Sequence, residues 1–552
     1  MESQGEAKMT LNLDRRTFLI RTAGTAAVTM AWARGAFATD ETIVSTNCGK
    51  LRGAPGDGFV SFKGVPYAGP AAGANRFKPV AKLEPWTGVR DALNYGLPAI
   101  QDQEPIPVPG SYTDNGPTSE NCQVLNVWTP AMDGKKRPVM FYCHGGGFLH
   151  GSGGSGANLG YDGSALAKNH DVVVVTHNHR LGIMGYLYLD DVLGAEYAGS
   201  GIAGMLDIVQ ALEWVRDNIS AFGGDPGNVT IQGQSGGGFK VSTLLAMPKA
   251  QGLFHKAIIE SGAGLRTMPK QAAIATTEDL LKFLGLSKAD AKKLQDVPTS
   301  KLLEFQVKYL SSPKEAVGTF APVVDGHFLP SHPFDPIAPA ISAGIPVLVG
   351  CNKDESLLGL SHRSRAEVEK IFNLDEAGLR ERVKDALGNN TDMEDRVLEV
   401  LRQNRPNASP TDLYIAITTG MGNWIGAINL AERKANQKAA PVYMYRFSYE
   451  SDKPAAPFVS YPMKSPHGLE IWFKFDHAEN STDTGSNPGR FELAHTMAET
   501  WATFARTGNP NNSKIPNWPT YDAGKRATMI INTKWAVEND PNQVERELWQ
   551  QL

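Results

Sequence analysis

Cysteine is scarce in this sequence: four occur among 552 residues, and none belongs to a Cys-x-x-Cys pair. A disulfide-rich scaffold and a cysteine-ligated zinc site both need cysteines at paired, regular spacings, so neither is predicted. The zinc-protease pattern His-Glu-x-x-His is absent as well, and we expect no metal ion and no other cofactor. The cysteines are Cys48, Cys122, Cys143 and Cys351.

A strong charge of either sign is also missing. The chain has 54 basic and 58 acidic residues, a formal net charge of −4, so no nucleic-acid partner is predicted. The apolar stretch at residues 23–32 is too short to span a membrane. We expect no membrane-spanning segment in the mature chain. With 41% hydrophobic residues, the chain has enough apolar material for a large core.

The first 38 residues have the features of an export signal. Arg15 and Arg16 precede the apolar stretch at 23–32, and Ala36-Phe37-Ala38 follows, with small residues at 36 and 38. This order is typical of a twin-arginine signal peptide. We therefore expect cleavage after Ala38 and a periplasmic or secreted mature protein. A disordered N-terminal arm is the alternative interpretation.

Apolar runs alternate with helical patterns along the rest of the chain. The runs at 139–143 and 172–176 are continuous, as expected for strands buried on both faces of a parallel sheet. Residues 204–219 have apolar side chains at a helical period. The alternation predicts an α/β fold, with a mostly parallel central sheet flanked by helices. We expect residues 39–552 to form one domain, with cap-like helical insertions at about 262–440.

The sequence is organised around Gly-Gln-Ser-Gly-Gly at residues 233–237. A short β-branched run at 228–231 precedes this motif, and apolar residues at helical spacing follow it, so Ser235 is expected where a strand turns sharply into a helix. Glycine on both sides relieves the crowding of such a turn. The pattern indicates a nucleophile elbow; a serine turn with only a structural role is the alternative.

A serine nucleophile needs a histidine to take its proton and a carboxylate to orient that histidine. In enzymes with this elbow the acid follows the serine and the histidine comes last. Asp354 and Glu355 follow an apolar strand pattern, and their spacing does not distinguish between them. His467 lies in a loop after the last strand pattern, a better position than His477 in a polar stretch or His495 on a helical pattern.

The oxyanion formed by serine attack needs preorganised hydrogen-bond donors. His-Gly-Gly-Gly-Phe at residues 144–148 directly follows a strand pattern, and consecutive glycine amides can point into a site. We expect a further donor in the backbone amide of Gly236, directly after the serine. A glycine loop with only a structural role is the alternative.

Together these motifs resemble the type B carboxylesterases, the cholinesterase-like family of α/β-hydrolases. The resemblance covers nearly all of residues 42–525 and implies the α/β-hydrolase fold and no cofactor. The matching positions are 62–67, 76–79, 86–88, 120–128, 145–148, 178–182, 222–226, 233–237, 252–254, 352–355, 467 and 504–510.

The resemblance also implies which residues form the site, and it selects Glu355 over Asp354. Two departures stand beside the nucleophile, where Gln234 replaces the usual glutamate and a glycine replaces the usual alanine. Cys122 matches one half of a family disulfide whose other half falls near Ile100, so a free thiol is expected and a choline ester is not. The implied residues are Ser235, Glu355 and His467 as the triad, and Gly146, Gly147 and Gly236 as oxyanion amides.

The predicted function is therefore serine-dependent hydrolysis of a small carboxylic ester through an acyl-enzyme intermediate. An amide or carbamate hydrolase with the same triad is one alternative, because nothing in the sequence selects the bond that is cleaved. A cholinesterase-like binding protein without catalysis is another, although such a protein typically lacks one of the three side chains.

Overall fold

The computed structural model describes residues 42–102, 116–154, 159–312, 319–357, 363–388 and 391–552. The predicted signal peptide lies outside these described residues. Within the described ranges, no helix has both the length and the apolar character that a membrane crossing requires.

Most of the β-strands belong to one central sheet. The strands of the described chain are β1 (Ile43–Ser45), β2 (Lys50–Arg52), β3 (Ala54–Gly56), β4 (Phe59–Pro66), β5 (Val89–Asp91), β6 (Val124–Thr129), β7 (Arg137–Cys143), β8 (Val173–His177), β9 (Gly224–Gln234), β10 (Lys256–Glu260), β11 (Met268–Pro269), β12 (Val323–Val324), β13 (Val347–Asn352), β14 (Val442–Phe447), β15 (Ser451–Pro454), β16 (Pro462–Lys464), β17 (Ala527–Ile531) and β18 (Ala536–Asn539). Four of the inner strands of the central sheet, β7, β8, β10 and β13, are buried along their whole length.

The central sheet has eleven strands in the order β18-β17-β14-β13-β10-β9-β7-β8-β6-β4-β3. The strands from β17 to β8 run parallel to their neighbours. Antiparallel strands complete both edges. The predicted α/β fold with a mostly parallel central sheet is confirmed.

Helices cover both faces of this sheet. The α-helices of the described chain are α1 (Ser164–His170), α2 (Gly182–Tyr186), α3 (Asp190–Leu193), α4 (Ala203–Asn218), α5 (Gly236–Ala246), α6 (Lys270–Leu284), α7 (Thr299–Leu310), α8 (Arg365–Phe372), α9 (Glu376–Ala386), α10 (Thr391–Asn404), α11 (Pro410–Thr419), α12 (Ile425–Ala435), α13 (Glu470–Lys474), α14 (Arg490–Thr507) and α15 (Gln543–Trp549).

The core lies in two layers, one on each face of the sheet. Successive residues of a strand point to opposite faces, and so Phe141 and Tyr142 of β7 belong to different hydrophobic clusters. Leu212 of α4 and Leu244 of α5 pack in the cluster of Phe141, whereas Trp501 of α14 packs in that of Tyr142. Burial of apolar area in both layers stabilises the sheet.

A third hydrophobic cluster joins helices α8 to α11 with α15. Leu379, Leu401, Leu413 and Trp549 contribute to it. These helices lie mostly in the region for which a helical cap is predicted. The region also contains β13 of the central sheet. This strand is the apolar strand pattern that precedes Asp354 and Glu355 in the sequence.

All four cysteines fall within the described residues, and none is paired with another. Cys122, Cys143 and Cys351 are buried, and Cys48 is partly exposed. The free thiol of Cys122 agrees with the expectation from the sequence.

Candidate active site

Ser235 is the single residue between the end of β9 and the start of α5. Its backbone has φ +58° and ψ −125°, a conformation that side chains other than glycine rarely adopt and that costs about 1–3 kcal/mol. Its N–H donates to the carbonyl of Glu260 over 2.8 Å. The side chain is half-buried, at the N-terminal and therefore positive end of α5.

The glycines around Ser235 are required by close backbone contacts. A Cβ atom on Gly237 would lie 2.0 Å from the carbonyl oxygen of Cys143, and one on Gly233 would lie 2.3 Å from the carbonyl carbon of Gly237. Any side chain at these positions would force the strand and helix apart. The turn therefore keeps its shape only with glycine at these two positions.

Glu355 and His467 lie, like Ser235, at the carboxyl-terminal ends of the central strands. Glu355 follows β13, and His467 lies in the loop between β16 and α13. The Nδ1 atom of His467 is hydrogen-bonded to Oε2 of Glu355, and Oε1 of Glu355 accepts from the backbone N–H of Asn352 over 2.6 Å. The acid is thereby fixed on both oxygens.

The neighbouring Asp354 has a different partner. Its Oδ2 atom accepts from the backbone N–H of Ser465 over 3.3 Å. The two carboxylates that spacing alone did not distinguish therefore have separate contacts, and Glu355 is the one that meets the imidazole.

The charges around His467 favour its protonated form. Burial alone would lower the pKa of His467, but the Glu355 carboxylate outweighs it, so that the pKa is raised above its usual range. A second carboxyl group, that of Glu470 on α13, is fully buried nearby. Burial, together with the charge of Glu355, raises the pKa of Glu470 to about 7.

The other ring nitrogen of His467 faces the turn that carries Ser235. Its Nε2 atom lies 3.3 Å from Nε2 of Gln234, the residue directly before Ser235. With the Nδ1 proton directed at Glu355, Nε2 has a free lone pair and accepts from the amide group of Gln234. Among the described residues, no hydrogen bond joins the hydroxyl of Ser235 to His467.

Gly146 and Gly147 form a turn directly after β7, with φ angles of +84° and +62°. A Cβ atom on Gly236 would lie 2.4 Å from the nitrogen of Gly147, so the two backbones are in contact. Gly236 is the first residue of α5, and its N–H has no acceptor within that helix. The three predicted oxyanion amides therefore lie on two adjacent backbone segments.

A group of buried side chains lies behind this glycine turn. We call His144, His177 and His179 the histidine cluster. The ring of His179 lies 4.7 Å from that of His144 and 5.4 Å from that of His177, centre to centre. The Nζ atom of Lys240 on α5 donates to the carbonyl of His144 over 2.9 Å.

The histidine cluster has no carboxylate partner among the described residues. Burial, with a further contribution from Lys240, lowers the pKa of all three imidazoles, that of His177 to about 3. Burial also lowers the pKa of Lys240 to about 7. Both ring nitrogens of His179 are without a hydrogen-bond partner in the described structure.

His477 and His495, the weaker candidates in the sequence, point elsewhere. The Nε2 atom of His477 donates to the carbonyl of Asp162 over 2.8 Å, and Nδ1 of His495 lies 3.4 Å from Asp476.

The sequence did not reveal the roles of Asn352 and Glu470. The side-chain amide of Asn352 donates to the carbonyl of Pro466 over 2.6 Å and to the carboxyl group of Glu470. It therefore links the acid loop to the loop that carries His467. The only sequence signal was the position of these residues, three before Glu355 and three after His467.

The strand order, the strained serine between β9 and α5, and the adjacent acid and imidazole define an α/β-hydrolase. The chain belongs to the Carboxylesterase family, whose profile matches residues 40–549. The family resemblance is thus confirmed.

Several known esterases are similar over almost the whole chain. The para-nitrobenzyl esterase of Bacillus subtilis (strain 168) is 38% identical, over 92% of this chain and 98% of that protein. The liver carboxylesterase of Sus scrofa is 32% identical, over 86% of each. A crystal structure of a Geobacillus stearothermophilus carboxylesterase superposes with a TM-score of 0.78 at 36% identity, covering 92% of this chain and all of the other. The protein is a carboxylesterase, an enzyme that hydrolyses carboxylic esters.

Proposed function

We propose that Ser235, Glu355 and His467 are the nucleophile, acid and base of this carboxylesterase. The observation that carries the proposal is the position of the His467 imidazole. One of its nitrogens meets Glu355, and the other lies 3.3 Å from Gln234, next to the serine. Hydrogen bonds of a catalytic site are often completed only when substrate binds. On binding, the hydroxyl of Ser235 takes the place of the Gln234 amide at Nε2.

In the first half of the reaction, Nε2 of His467 takes the hydroxyl proton as Oγ of Ser235 bonds to the ester carbonyl carbon. The electron pair of the carbonyl bond moves to its oxygen. This oxyanion accepts hydrogen bonds from the amides of Gly146, Gly147 and Gly236. The tetrahedral intermediate then collapses, and the alcohol leaves with the proton from Nε2.

In the second half, a water molecule attacks the acyl-enzyme. It gives its proton to His467, and collapse of the second intermediate releases the carboxylic acid and restores the serine hydroxyl. Glu355 stays ionised throughout and stabilises the imidazolium that forms in each half. The substrate is a small-molecule carboxylic ester.

The experiment is the substitution Ser235→Ala, with turnover of a short-chain nitrophenyl ester and labelling by a fluorophosphonate as readouts. We expect kcat to fall by about 10⁴-fold or more and labelling to disappear, because no other group on the turn can form the acyl-enzyme. Ser287→Ala, at an exposed serine outside the site, serves as the control and keeps both signals. A folded Ser235→Ala protein that still forms the fluorophosphonate adduct would refute the assignment.

We also infer that residues 1–38 direct export through a twin-arginine pathway. The support is Arg15 and Arg16 ahead of an apolar stretch with small residues at its end. Sequencing the N-terminus of the exported protein tests this inference. We expect Thr39 as the first residue, and an unprocessed chain in the cytoplasmic fraction contradicts it.

A further inference from the structure

Three side chains from distant parts of the chain converge outside the active site. His170 is the last residue of α1, Asp476 lies two residues beyond α13, and His495 lies on α14. One nitrogen or oxygen atom from each of the three lies within 4.8 Å of those of the other two. We call this group the His-Asp-His cluster. Because its members are far apart in sequence, no motif spacing predicted it.

The distances within the His-Asp-His cluster match those of a bound metal ion. Oδ2 of Asp476 lies 3.2 Å from Nε2 of His170 and 3.4 Å from Nδ1 of His495. A tetrahedral zinc ion with bonds of about 2.0–2.1 Å has ligand atoms about 3.3–3.4 Å apart. Two of the three ligand pairs are thus already at the separation that zinc requires.

Contacts from outside the cluster orient the His170 ring, and one of them, from Asn169, is made to Oδ2 of Asp476 itself, which has a second lone pair for a metal ion. Nδ1 of His170 lies 2.9 Å from Oε2 of Glu499, so its proton is directed at that carboxylate and Nε2 has a free lone pair. A carboxylate on the far nitrogen of a histidine is the usual support of a metal-binding imidazole. Arg506 holds Glu499 at 3.3 Å, and the side-chain amide of Asn169 donates to Asp476 over 2.9 Å.

The cluster is closed on one side and open on the other. The side chain of His170 is fully buried, that of Asp476 is 11% exposed and that of His495 is 41% exposed. A metal ion therefore has an entry path past His495, and water can occupy a fourth coordination position there.

We propose that His170, Asp476 and His495 bind one Zn²⁺ ion, with water as the fourth ligand. Two imidazole nitrogens and one carboxylate oxygen favour zinc over magnesium or calcium, which prefer oxygen ligands. The ion joins α1, α14 and the segment after α13, the short helix that directly follows the His467 loop. Its effect is therefore on stability, and the ester chemistry proceeds without it.

The test uses the full chain without an affinity tag, treated with EDTA and dialysed against Zn²⁺ or Mg²⁺. We expect one zinc and no magnesium per chain by elemental analysis, and visible absorption bands of a four-coordinate ion when Co²⁺ replaces zinc. Zinc at about 100 times its Kd lowers the unfolding equilibrium constant about 100-fold. Thermal melting measures this stabilisation.

Two substitutions remove ligands without disturbing the fold. His495→Gln replaces a half-exposed side chain, and Asp476→Asn suits the left-handed backbone at that position, where φ is +59°. Both are expected to abolish zinc uptake and the melting shift while ester turnover stays unchanged. Glu499→Gln removes an orienting contact only and is expected to weaken zinc binding about 10–100-fold.

The control is His327→Gln, at an exposed histidine outside the cluster, which keeps full zinc uptake. The alternative is that a proton shared between imidazole and carboxylate holds the cluster together. In that case the unsubstituted protein and His495→Gln take up the same small amount of zinc and melt alike with and without it. That result overturns the proposal.

Discussion

His467, which is mostly buried, and the histidine cluster, which is fully buried, both lie at the strand ends near Ser235, yet the charges beside them have opposite sign. His467 faces Glu355, with the carboxyl group of Glu470 nearby, and its pKa is raised. The histidine cluster faces Lys240, and the pKa values of its imidazoles are lowered. The pKa of the same type of side chain is thus shifted in opposite directions in the two places.

Burial alone does not mark a histidine for acid–base chemistry, since burial lowers the pKa in both places. The partner decides the outcome. An imidazole beside a carboxylate can gain and lose a proton near neutral pH, whereas one beside an ammonium group stays neutral. The histidine cluster therefore acts as uncharged packing behind the glycine turn.

The largest expected effect comes from removing the carboxylate that separates the two environments. Glu355→Gln keeps the shape of the side chain but removes the carboxylate that contacts Nδ1 of His467. We expect kcat to fall about 10³–10⁴-fold, because the imidazolium is no longer stabilised or held in the productive tautomer. Steady-state turnover of a nitrophenyl ester measures the change.

Asp354→Asn is the matched control for that substitution. It removes the adjacent carboxylate, whose partner is Ser465, and turnover is expected to stay within about fivefold of the unsubstituted enzyme. If Asp354→Asn loses more activity than Glu355→Gln, the two acids have been assigned the wrong way round.

A smaller effect is expected from adding a charge on the other side of His467. As the proposed base, His467 can take a proton only when it is neutral. We therefore expect kcat/KM to fall as the pH drops through its pKa, which lies above the usual value of about 6.5. Gln234→Glu places a carboxylate near Nε2 and raises this pKa further. We expect kcat/KM at pH 7 to fall by up to about tenfold and to recover as the pH is raised.

Gln234→Met separates charge from volume in this experiment. It removes the amide without adding a charge. We expect the midpoint of its pH profile to be the same as that of the unsubstituted enzyme. A midpoint that moves equally in both variants shows that the charge is not responsible.

The last effect concerns stability rather than activity and is expected at Lys240. Its folded pKa of about 7 lies below the unfolded value of 10.5, so charging this group opposes folding fully below pH 7, and the cost disappears as the pH rises to about 10.5. Lys240→Met has no such cost. We expect the stability of the variant relative to the original protein to decrease by up to about 1.4 kcal/mol per pH unit between pH 7 and pH 10.

Chemical denaturation at several pH values measures this difference, and parallel stability curves for the two proteins contradict it.

The pH dependence that His467 contributes to stability has the opposite sign. Because its folded pKa is raised, its contribution to stability is fully present below about pH 6.5 and is lost as the pH rises through the folded pKa.

The central strands and the nucleophile turn could be predicted because their signals are local. Continuous apolar runs are visible for β7 and β8, and the glycines around Ser235 follow from crowding within a few residues. The strands β17 and β18 at one end of the sheet were not predicted; β18, the edge strand, has four residues and is mostly exposed. Their place depends on the neighbouring strand rather than on their own sequence.

The contacts that determine the chemistry of the site are long-range and were mostly not predictable. Spacing left Asp354 and Glu355 equivalent; their different partners come from the loop of residues 465–467, more than one hundred positions away. The meeting of Gln234 with His467, and the grouping of the histidine cluster, depend on which strands are neighbours in the sheet. A single sequence does not contain that information in any local pattern.

The four unpaired cysteines have a consequence for how the molecule reaches its native state. Disulfide formation needs an oxidant and often an isomerase, and it ties maturation to an oxidising environment. This polypeptide has no such covalent step, since its thiols stay separate and three of the four are shielded from reagents. It can therefore fold to completion in the presence of glutathione or thioredoxin, and a thiol reductant in the buffer leaves its covalent structure intact.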